Sequence, residues 1–198
     1  MITSNFAWSQ LFSFIEVHNL FDKVNYDIYN DIKEIYPNGN VEPLKGFYDI
    51  KSNTVVIIAN QHTGVDSIYK TYQHETFGHF GINNLSVGQK TSLLNSIGGQ
   101  INHKHCDFKE IVDFINNSND YRNKPIKHKA EEIFAFIAQD TKVDLNHKFI
   151  PFENKLDGST KEKIKKIIQN LAAGIRENKL SLQKDNFNEK SQDKGMSR

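Results

Sequence analysis

Two histidines and a glutamate in the stretch HETFGH, residues 74–79, constrain the fold of this chain more than any other feature. His74 and His79 are five positions apart, and Glu75 directly follows the first histidine. On an ideal helix of 3.6 residues per turn, a separation of five places two side chains about 140° apart, so the rings would not meet at one ion. A shared site therefore requires a local distortion of the helix.

A single-turn π-bulge would supply that distortion, because it absorbs one extra residue and returns the second histidine to the face of the first. Gly78, directly before His79, lowers the steric cost of a distorted backbone there. Zinc binds neutral imidazoles and carboxylates, and the familiar H-E-x-x-H spacing places its histidines only about 40° apart. The residues alone leave two interpretations open, a metal site or two ordinary helix histidines.

Apolar spacing along the chain predicts an α+β fold that is mainly α. Three- and four-residue spacings in residues 6–35 indicate one or two amphipathic helices. The stretch GFYDIKSNTVVII indicates a β-hairpin with strands around Gly46–Asp49 and Thr54–Ile58. Further helices are expected from Val65 through Ile82 and over Ser86–Ile97, where Gly98-Gly99 ends the second one. Another helix should begin after an N-cap at Asp107, and another after Pro125. A last helix is expected within residues 159–175, where a Ser/Thr cap begins it.

The length of 198 residues suits one domain with a single core. We expect this domain to span residues 1–176, with N-terminal helices in 1–44 and the motif-bearing core in 45–140. The chain then becomes polar, which predicts a disordered tail or a linker over residues 177–198.

Charge and cysteine content narrow the class of protein. The 25 basic and 24 acidic residues nearly cancel, so nucleic acid is not the expected partner. The N-terminal stretch resembles neither a signal peptide nor a membrane span, because Glu16 and His18 interrupt its apolar part. The one cysteine, Cys106, excludes an internal disulfide and fits a reducing compartment. We therefore expect a cytoplasmic protein without a membrane partner.

HETFGH resembles the H-E-x-x-G-H motif of the dipeptidyl-peptidase III family, zinc peptidases that take a further glutamate ligand from an E-E-x-x-A segment on a second helix. This chain carries EEIFAF at residues 131–136, in the expected order downstream. The longer order of GFYDIKSNTVVII, HETFGHFGI and AEEIFAFIA also resembles the zincin-like metallopeptidase domains of large polyvalent proteins in phages and conjugative elements. The resemblance covers about residues 45–140.

This resemblance implies a zincin-like helical domain with the small hairpin beside the active-site helix. It implies Zn²⁺ bound by His74, His79 and Glu132, with Glu75 as the general base that accepts a proton from the metal-bound water. A helical wheel places Glu131 slightly closer to the apolar stripe than Glu132, so the wheel and the resemblance differ over the third ligand. A third possibility is that both glutamates pair with Lys127 and Lys129 as solvated helix charges.

The function expected from these residues is that of a zinc-dependent metallopeptidase, a hydrolase with a peptide or protein substrate. The hairpin is either an edge strand for an extended peptide or a plain structural element. One alternative is a catalytically idle zincin-like interaction module of a mobile-element protein, with or without a structural metal. Another is a DNA-associated domain, which only the basic run KEKIKK favours. No pattern in the sequence indicates an oligomeric state.

Several other side chains are candidates for a role. Tyr72, Tyr121 and His128 could each donate a hydrogen bond to a transition-state oxyanion, and the sequence does not rank them. His103, His105 and Cys106 could form a second metal site, although solvent-exposed histidines near a helix start explain them equally simply. His18, His62 and His147 stand alone and receive no role.

Overall fold

Three short strands form a mixed sheet whose central strand is buried. The computed structural model describes residues 2–18, 20, 23–38, 43–103, 106–150 and 161–180. Strand β3, Thr54–Ile58, lies between β1, Asn25–Tyr29, and β2, Gly46–Asp49. It runs parallel to β1 and antiparallel to β2. All five residues of β3 are buried, and all five carry β-branched side chains on its two covered faces.

The predicted hairpin of β2 and β3 is confirmed. Its turn places Asn53 at φ 55°, a left-handed conformation that asparagine tolerates better than most residues. The Tyr48 hydroxyl donates to Asn53 Oδ1 at 2.8 Å, which ties the strand to the turn. Gly46 lies so close to the neighbouring elements that a Cβ built there would be 2.6 Å from the Val56 carbonyl oxygen. Only glycine therefore fits at this position of β2.

The prediction of helices throughout residues 6–35 is wrong in its second half. Helix α1, Ser4–His18, forms as expected, but β1 follows it and a short 3₁₀ turn covers Ile32–Glu34. Tyr26 and Ile28 face the main core while Tyr29 packs in the cluster on the opposite face of the sheet. This two-residue alternation is a strand pattern, but it is too short to stand out beside the apolar run before it.

The remaining helices surround the motif. The motif helix consists of α2, Val65–Gln73, a π-helical segment, His74–Phe80, and α3, Gly81–Asn83. It is followed by α4, Val87–Ile101, α5, Lys109–Asn117, α6, Ile126–Gln139, and α7, Lys161–Arg176. No helix among the described residues is long and apolar enough to cross a membrane.

Two predicted helix boundaries are wrong. Helix α4 begins after a Ser86–Gln89 capping box, as its sequence indicates, but continues through Gly98-Gly99 because Ile101 still packs into the core. Helix α5 begins after Phe108 rather than after Asp107. Phe108 is only 2% exposed, so burial of its ring sets the start of the helix. The expected Ser/Thr cap of α7 and the expected tail beyond residue 180 lie outside the described residues.

The core centres on α6, which packs most extensively against the π-helical segment. Small and apolar side chains make α6 buried on most of its surface. A glutamate within such a helix must be paired, protonated or bound to a cation. The packing of α6 on the motif helix therefore brings its two glutamates next to the two histidines.

Candidate metal centre

The π-helical segment places the two histidines of the motif on the same side of the helix. Its seven residues begin at His74 and include His79. The wider turn of a π-helix brings residues five apart onto one side of the helix. The two imidazole rings accordingly lie 5.1 Å apart between centroids, at an interplanar angle of 63°. The predicted distortion is confirmed, and it extends over the whole motif.

Gly78 also has a packing role that the sequence does not predict. A Cβ built on Gly78 would lie 2.7 Å from both the Cα and the Cβ of Ala135 on α6. Such a distance is far inside van der Waals contact, so glycine allows the two helices to approach. Glu132 lies one turn before Ala135 on α6. The contact between Gly78 and Ala135 thus determines how close Glu132 comes to the histidines.

His74, His79 and Glu132 form a compact cluster that could hold a metal ion. One ligand atom from each lies within 4.8 Å of the others. His74 Nε2 is 3.7 Å from one Glu132 carboxylate oxygen, and His79 Nε2 is 3.7 Å from the other. Bonds of about 2.0–2.2 Å in a tetrahedral site separate ligand atoms by about 3.3–3.6 Å. The three groups are therefore spaced almost as a zinc-sized cation requires.

The two glutamates of α6 do different things. Glu132 faces the Nε2 atoms, whereas Glu131 Oε1 lies 3.4 Å from His79 Nδ1 and Glu131 Oε2 lies 3.2 Å from Lys90 Nζ. A carboxylate behind a histidine holds the proton on Nδ1 and leaves Nε2 free to bind a cation. The geometry agrees with Glu132, the residue that the resemblance selects, and gives Glu131 a supporting contact.

The alternative pairing of these glutamates with Lys127 and Lys129 is not among the ion pairs of the described residues. Lys129 instead donates to Asn116 Oδ1 at 2.9 Å. The side-chain carboxyls of Glu131 and Glu132 are only 19% and 9% exposed, so neither is a solvated helix charge.

The protonation equilibria show how strongly the site favours positive charge. Burial lowers the pKa of His79, but the hydrogen bond to Glu131 and the charges of Glu75 and Glu132 outweigh it and raise that pKa to about 9. Burial raises the pKa of Glu131, yet His79 and Lys90 bring it down to about 2. The pKa of Glu132 is also lowered, because the nearby imidazoles outweigh the effect of burial. The carboxylates of Glu75, Glu131 and Glu132 thus favour positive charge on His79.

The His74 ring is held differently from the His79 ring. Its Nδ1 atom is buried and has no hydrogen-bond partner among the described residues. Phe136 packs edge-on against the ring, with centroids 5.0 Å apart. A buried imidazole nitrogen without a partner is costly. The other ring nitrogen, Nε2, lies 3.7 Å from Glu132 Oε2 and is the atom available to a metal.

The cluster opens into a cleft of about 420 Å³. Glu75 lines this cleft although it is only 5% exposed, and it has no ion pair or side-chain hydrogen bond to another described residue. The opposite wall is formed by β2 and the residues that flank it. The lining side chains are Leu44, Gly46, Phe47, Tyr48, Ile50, His74, Glu75, His79, Asn83, Tyr121, His128, Glu131 and Glu132.

Of the three candidate oxyanion donors, two lie in the cleft. Tyr121 and His128 both line it, and His128 Nε2 is 3.7 Å from Glu132 Oε1. Burial and then the charge of Glu132 raise the pKa of Tyr121, which keeps its phenol protonated. Tyr72 is fully buried instead, with its hydroxyl 3.0 Å from His18 Nδ1. The structure removes Tyr72 from the set.

The second set of possible ligands does not assemble in the part of the chain that the structure describes. Among those residues, His74, His79 and Glu132 are the only group of three that could share an ion. His105 lies outside the described residues, while His103 is exposed and Cys106 is half-buried. His62 makes two polar contacts, to Ser67 Oγ and to the Lys45 carbonyl, as befits a structural histidine.

Sequence reasoning missed the polar residues that support the site. Asn83 donates to the His79 carbonyl at 2.7 Å, four residues further along the motif helix, which is a spacing that could have drawn attention to it. Lys90 comes from α4 and no local pattern marks it. Tyr48, Leu44 and Ile50 line the cleft because of the hairpin's position.

Comparisons with known proteins do not identify a family for this chain. No protein-family model matches it, and neither the curated proteins nor the solved structures contain a match. The geometry of the site is therefore the ground for any statement about function.

Proposed function

We propose that this protein is a zinc-dependent metallopeptidase that hydrolyses peptide bonds. The observation that carries the proposal is the buried cluster of His74, His79 and Glu132, with the carboxylate of Glu75 unpaired in the same cleft. The motif HETFGH and the segment EEIFAF, which resemble those of dipeptidyl-peptidase III and of zincin-like domains in mobile-element proteins, support the same conclusion.

The donor set favours zinc over harder cations. Two imidazoles and one carboxylate are the ligands of many catalytic zinc sites, while magnesium and calcium take oxygen ligands. When bound, zinc lowers the pKa of a coordinated water to about 7 and polarises a carbonyl group. His74, His79 and Glu132 would hold the ion and leave one position open towards the cleft.

Glu75 is the proposed general base. It follows His74 directly and lines the cleft beside the metal cluster. Its carboxylate would accept the proton of the attacking water and then donate it to the leaving amine. A structural metal site does not require such a group, which is why Glu75 favours an enzyme over an idle interaction module.

Tyr121 and His128 are the proposed donors to the oxyanion that forms on the scissile carbonyl. Both lie in the cleft beside Glu132 and both can donate a hydrogen bond. Donors placed where negative charge develops stabilise the transition state more than the ground state.

Strand β2 is the proposed surface for the substrate main chain. It is the edge of the sheet on the cleft side, with no further strand beside it among the described residues. Ile58 N donates to the Lys45 carbonyl at 2.9 Å, which identifies Lys45 and Ile58 as a hydrogen-bonded pair. Because such pairs alternate, the main-chain groups of Gly46 and Tyr48 point away from β3 towards the open edge.

An extended peptide added at this edge would bond to Gly46 and Tyr48 and lie across the cleft. Leu44 and Ile50 flank the strand with exposed fractions of 38% and 64%, and both line the cleft. These two side chains favour an apolar residue near the scissile bond. The expected substrate is therefore a peptide or an extended segment of a protein.

A cleavage assay tests the proposal. Zinc-loaded wild type should hydrolyse members of a quenched fluorescent peptide library with apolar residues, and Glu75→Gln should lose that activity while it retains zinc. Asp66→Asn is a matched control, since Asp66 is an exposed carboxylate of the same helix that pairs with Lys70. If the zinc-loaded wild type cleaves no member of the library or of a denatured protein mixture, the idle interaction module replaces the enzyme.

A further inference from the structure

We infer that Lys90 is a positioning residue for the metal site, because it closes a ring of polar contacts that fixes the His79 imidazole. The ring consists of His79, Glu131, Lys90 and Asn83. This inference rests on the proposed metal site and extends it to Lys90 and Asn83, which no motif marks.

Four contacts make the ring. Lys90 Nζ donates to Asn83 Oδ1 at 2.7 Å and lies 3.2 Å from Glu131 Oε2. The other oxygen of Glu131 lies 3.4 Å from His79 Nδ1. Asn83 Nδ2 donates to the His79 carbonyl at 2.7 Å. Both the side chain and the main chain of His79 are therefore held by the same set of residues.

The ring joins separate elements of the fold. His79 belongs to the π-helical segment, Asn83 to α3, Lys90 to α4 and Glu131 to α6. Lys90 touches both of the elements that contribute metal ligands, through Asn83 on the motif helix and through Glu131 on α6. It therefore links the two helices at the level of the site.

Lys90 is less exposed than the lysine of any other ion pair among the described residues. The side chains of Lys90 and Glu131 are 21% and 19% exposed, whereas those of Lys109 and Asp113 are 65% and 53% exposed. Exposed pairs contribute little, but removing one partner of a mostly buried pair leaves an uncompensated charge. Lys90 is thus specifically fitted to Glu131.

The ring determines which nitrogen of His79 faces the cleft. Lys90 engages one oxygen of Glu131, so the other oxygen remains directed at His79 Nδ1. That contact leaves Nε2 pointing at Glu132, 3.7 Å from its Oε1. His74 has no equivalent support, since its Nδ1 is without a hydrogen-bond partner among the described residues. Loss of Lys90 should therefore weaken the metal bond that His79 Nε2 contributes.

Zinc affinity of full-length variants tests the inference. Lys90→Met removes the ammonium but keeps the length of the side chain, and we expect its zinc dissociation constant, measured by chelator competition, to rise about 10- to 100-fold. Lys90→Arg should recover most of the affinity, because arginine can donate to both acceptors. Lys109→Met is the matched control, a helix lysine in an ion pair far more exposed to solvent, and should bind zinc like wild type.

Two further measurements separate positioning from general stability. The visible spectrum of the cobalt-substituted protein should change in Lys90→Met and not in Lys109→Met, because the spectrum reports ligand geometry. In a double-mutant cycle, Asn83→Ala should weaken zinc binding in wild type and have much less effect in Lys90→Met, since both variants open the same ring.

The outcomes are distinguishable from failure of the proposed function. A wild-type protein that takes up no zinc would reject the proposed metal site itself. Wild type that binds zinc, with a folded Lys90→Met variant of equal affinity and an identical cobalt spectrum, would overturn only the role of Lys90. Should Lys90→Met not fold, Asn83→Ala decides the question, and unchanged zinc affinity in that variant would reject the ring.

Discussion

Gly78 and Ala135 touch so closely that a Cβ on the glycine would lie 2.7 Å from the Ala135 Cα. This contact joins the π-helical segment to α6, and the ligands of the candidate metal centre come from these two elements. The geometry of the centre therefore depends on a position that carries no functional group.

Gly78→Ala should destabilise the protein by about 1–3 kcal/mol, because the added methyl group overpacks a backbone contact that cannot yield easily. It should also weaken metal binding, since α6 must move away from His74 and His79. Chemical denaturation in chelator gives the first quantity and chelator competition gives the second.

Gly99→Ala is the matched control for this prediction. A Cβ at Gly99 meets no atom within 4 Å, and the residue lies inside α4. Alanine there should raise the free energy of unfolding by about 0.5–1 kcal/mol and leave metal binding unchanged. Equal effects of the two substitutions would show that the contact with Ala135 is not what matters.

Glutamine substitutions of Glu131 and Glu132, made one at a time, should show which glutamate binds the metal and which only supports His79. Glu132→Gln removes a charged ligand and should abolish stoichiometric zinc binding at neutral pH. Glu131→Gln leaves the ligand set intact and should weaken binding by about 10- to 100-fold. Isothermal titration with zinc distinguishes them, and a stronger loss in Glu131→Gln than in Glu132→Gln would reverse the assignment.

Metal binding should depend on pH through His79. The pKa of this imidazole is raised from its ordinary value of 6.5 to about 9 in the metal-free protein, so a proton occupies the site at neutral pH. Zinc must displace that proton, and its affinity should rise up to about tenfold per pH unit until pH 9 and then level off.

The stability of the metal-free protein should fall as the pH rises, whereas the zinc affinity rises. A raised pKa in the folded state means that protonated His79 stabilises it fully below pH 6.5, and that this contribution is lost as the pH rises through about 9. The free energy of unfolding in chelator should fall across that window. A flat profile in wild type, or the same slope in His79→Ala, would contradict this.

Tyr121→Phe should lower kcat by about 10²- to 10³-fold without loss of zinc, because it deletes one proposed oxyanion donor. Tyr72→Phe is the comparison, since the Tyr72 hydroxyl contacts His18 and neither residue lines the cleft. That variant should lose stability rather than activity. Comparable kcat values for Tyr121→Phe and wild type would remove Tyr121 from the mechanism.

The sequence predicted the features that are local along the chain. The five-residue spacing of the histidines required a distorted helix, and the hairpin followed from a short β-branched run beside turn residues. The contacts of Lys90, Asn83 and Glu131 depend on how α4 and α6 pack against the motif helix. No spacing within one element encodes that packing, so Lys90 and Asn83 carried no assigned role and Glu131 was considered only as a metal ligand or a solvated charge.

Strand β1 illustrates the same limit. Its five residues alternate between two faces, but they become a strand because β3 offers a parallel edge that lies about 30 residues further along the chain. The apolar residues just before it extended the helical pattern beyond its real end at His18. Pairing with β3 therefore outweighed the helical pattern of the local sequence.

Metal content per chain, measured by elemental mass spectrometry on purified wild type, His79→Ala and Glu75→Gln, shows whether His74, His79 and Glu132 hold an ion. We expect close to one zinc per chain in wild type and in Glu75→Gln, and little in His79→Ala. A wild-type protein that stays empty after zinc is supplied, and whose Tm does not change when a chelator is added, would contradict this expectation.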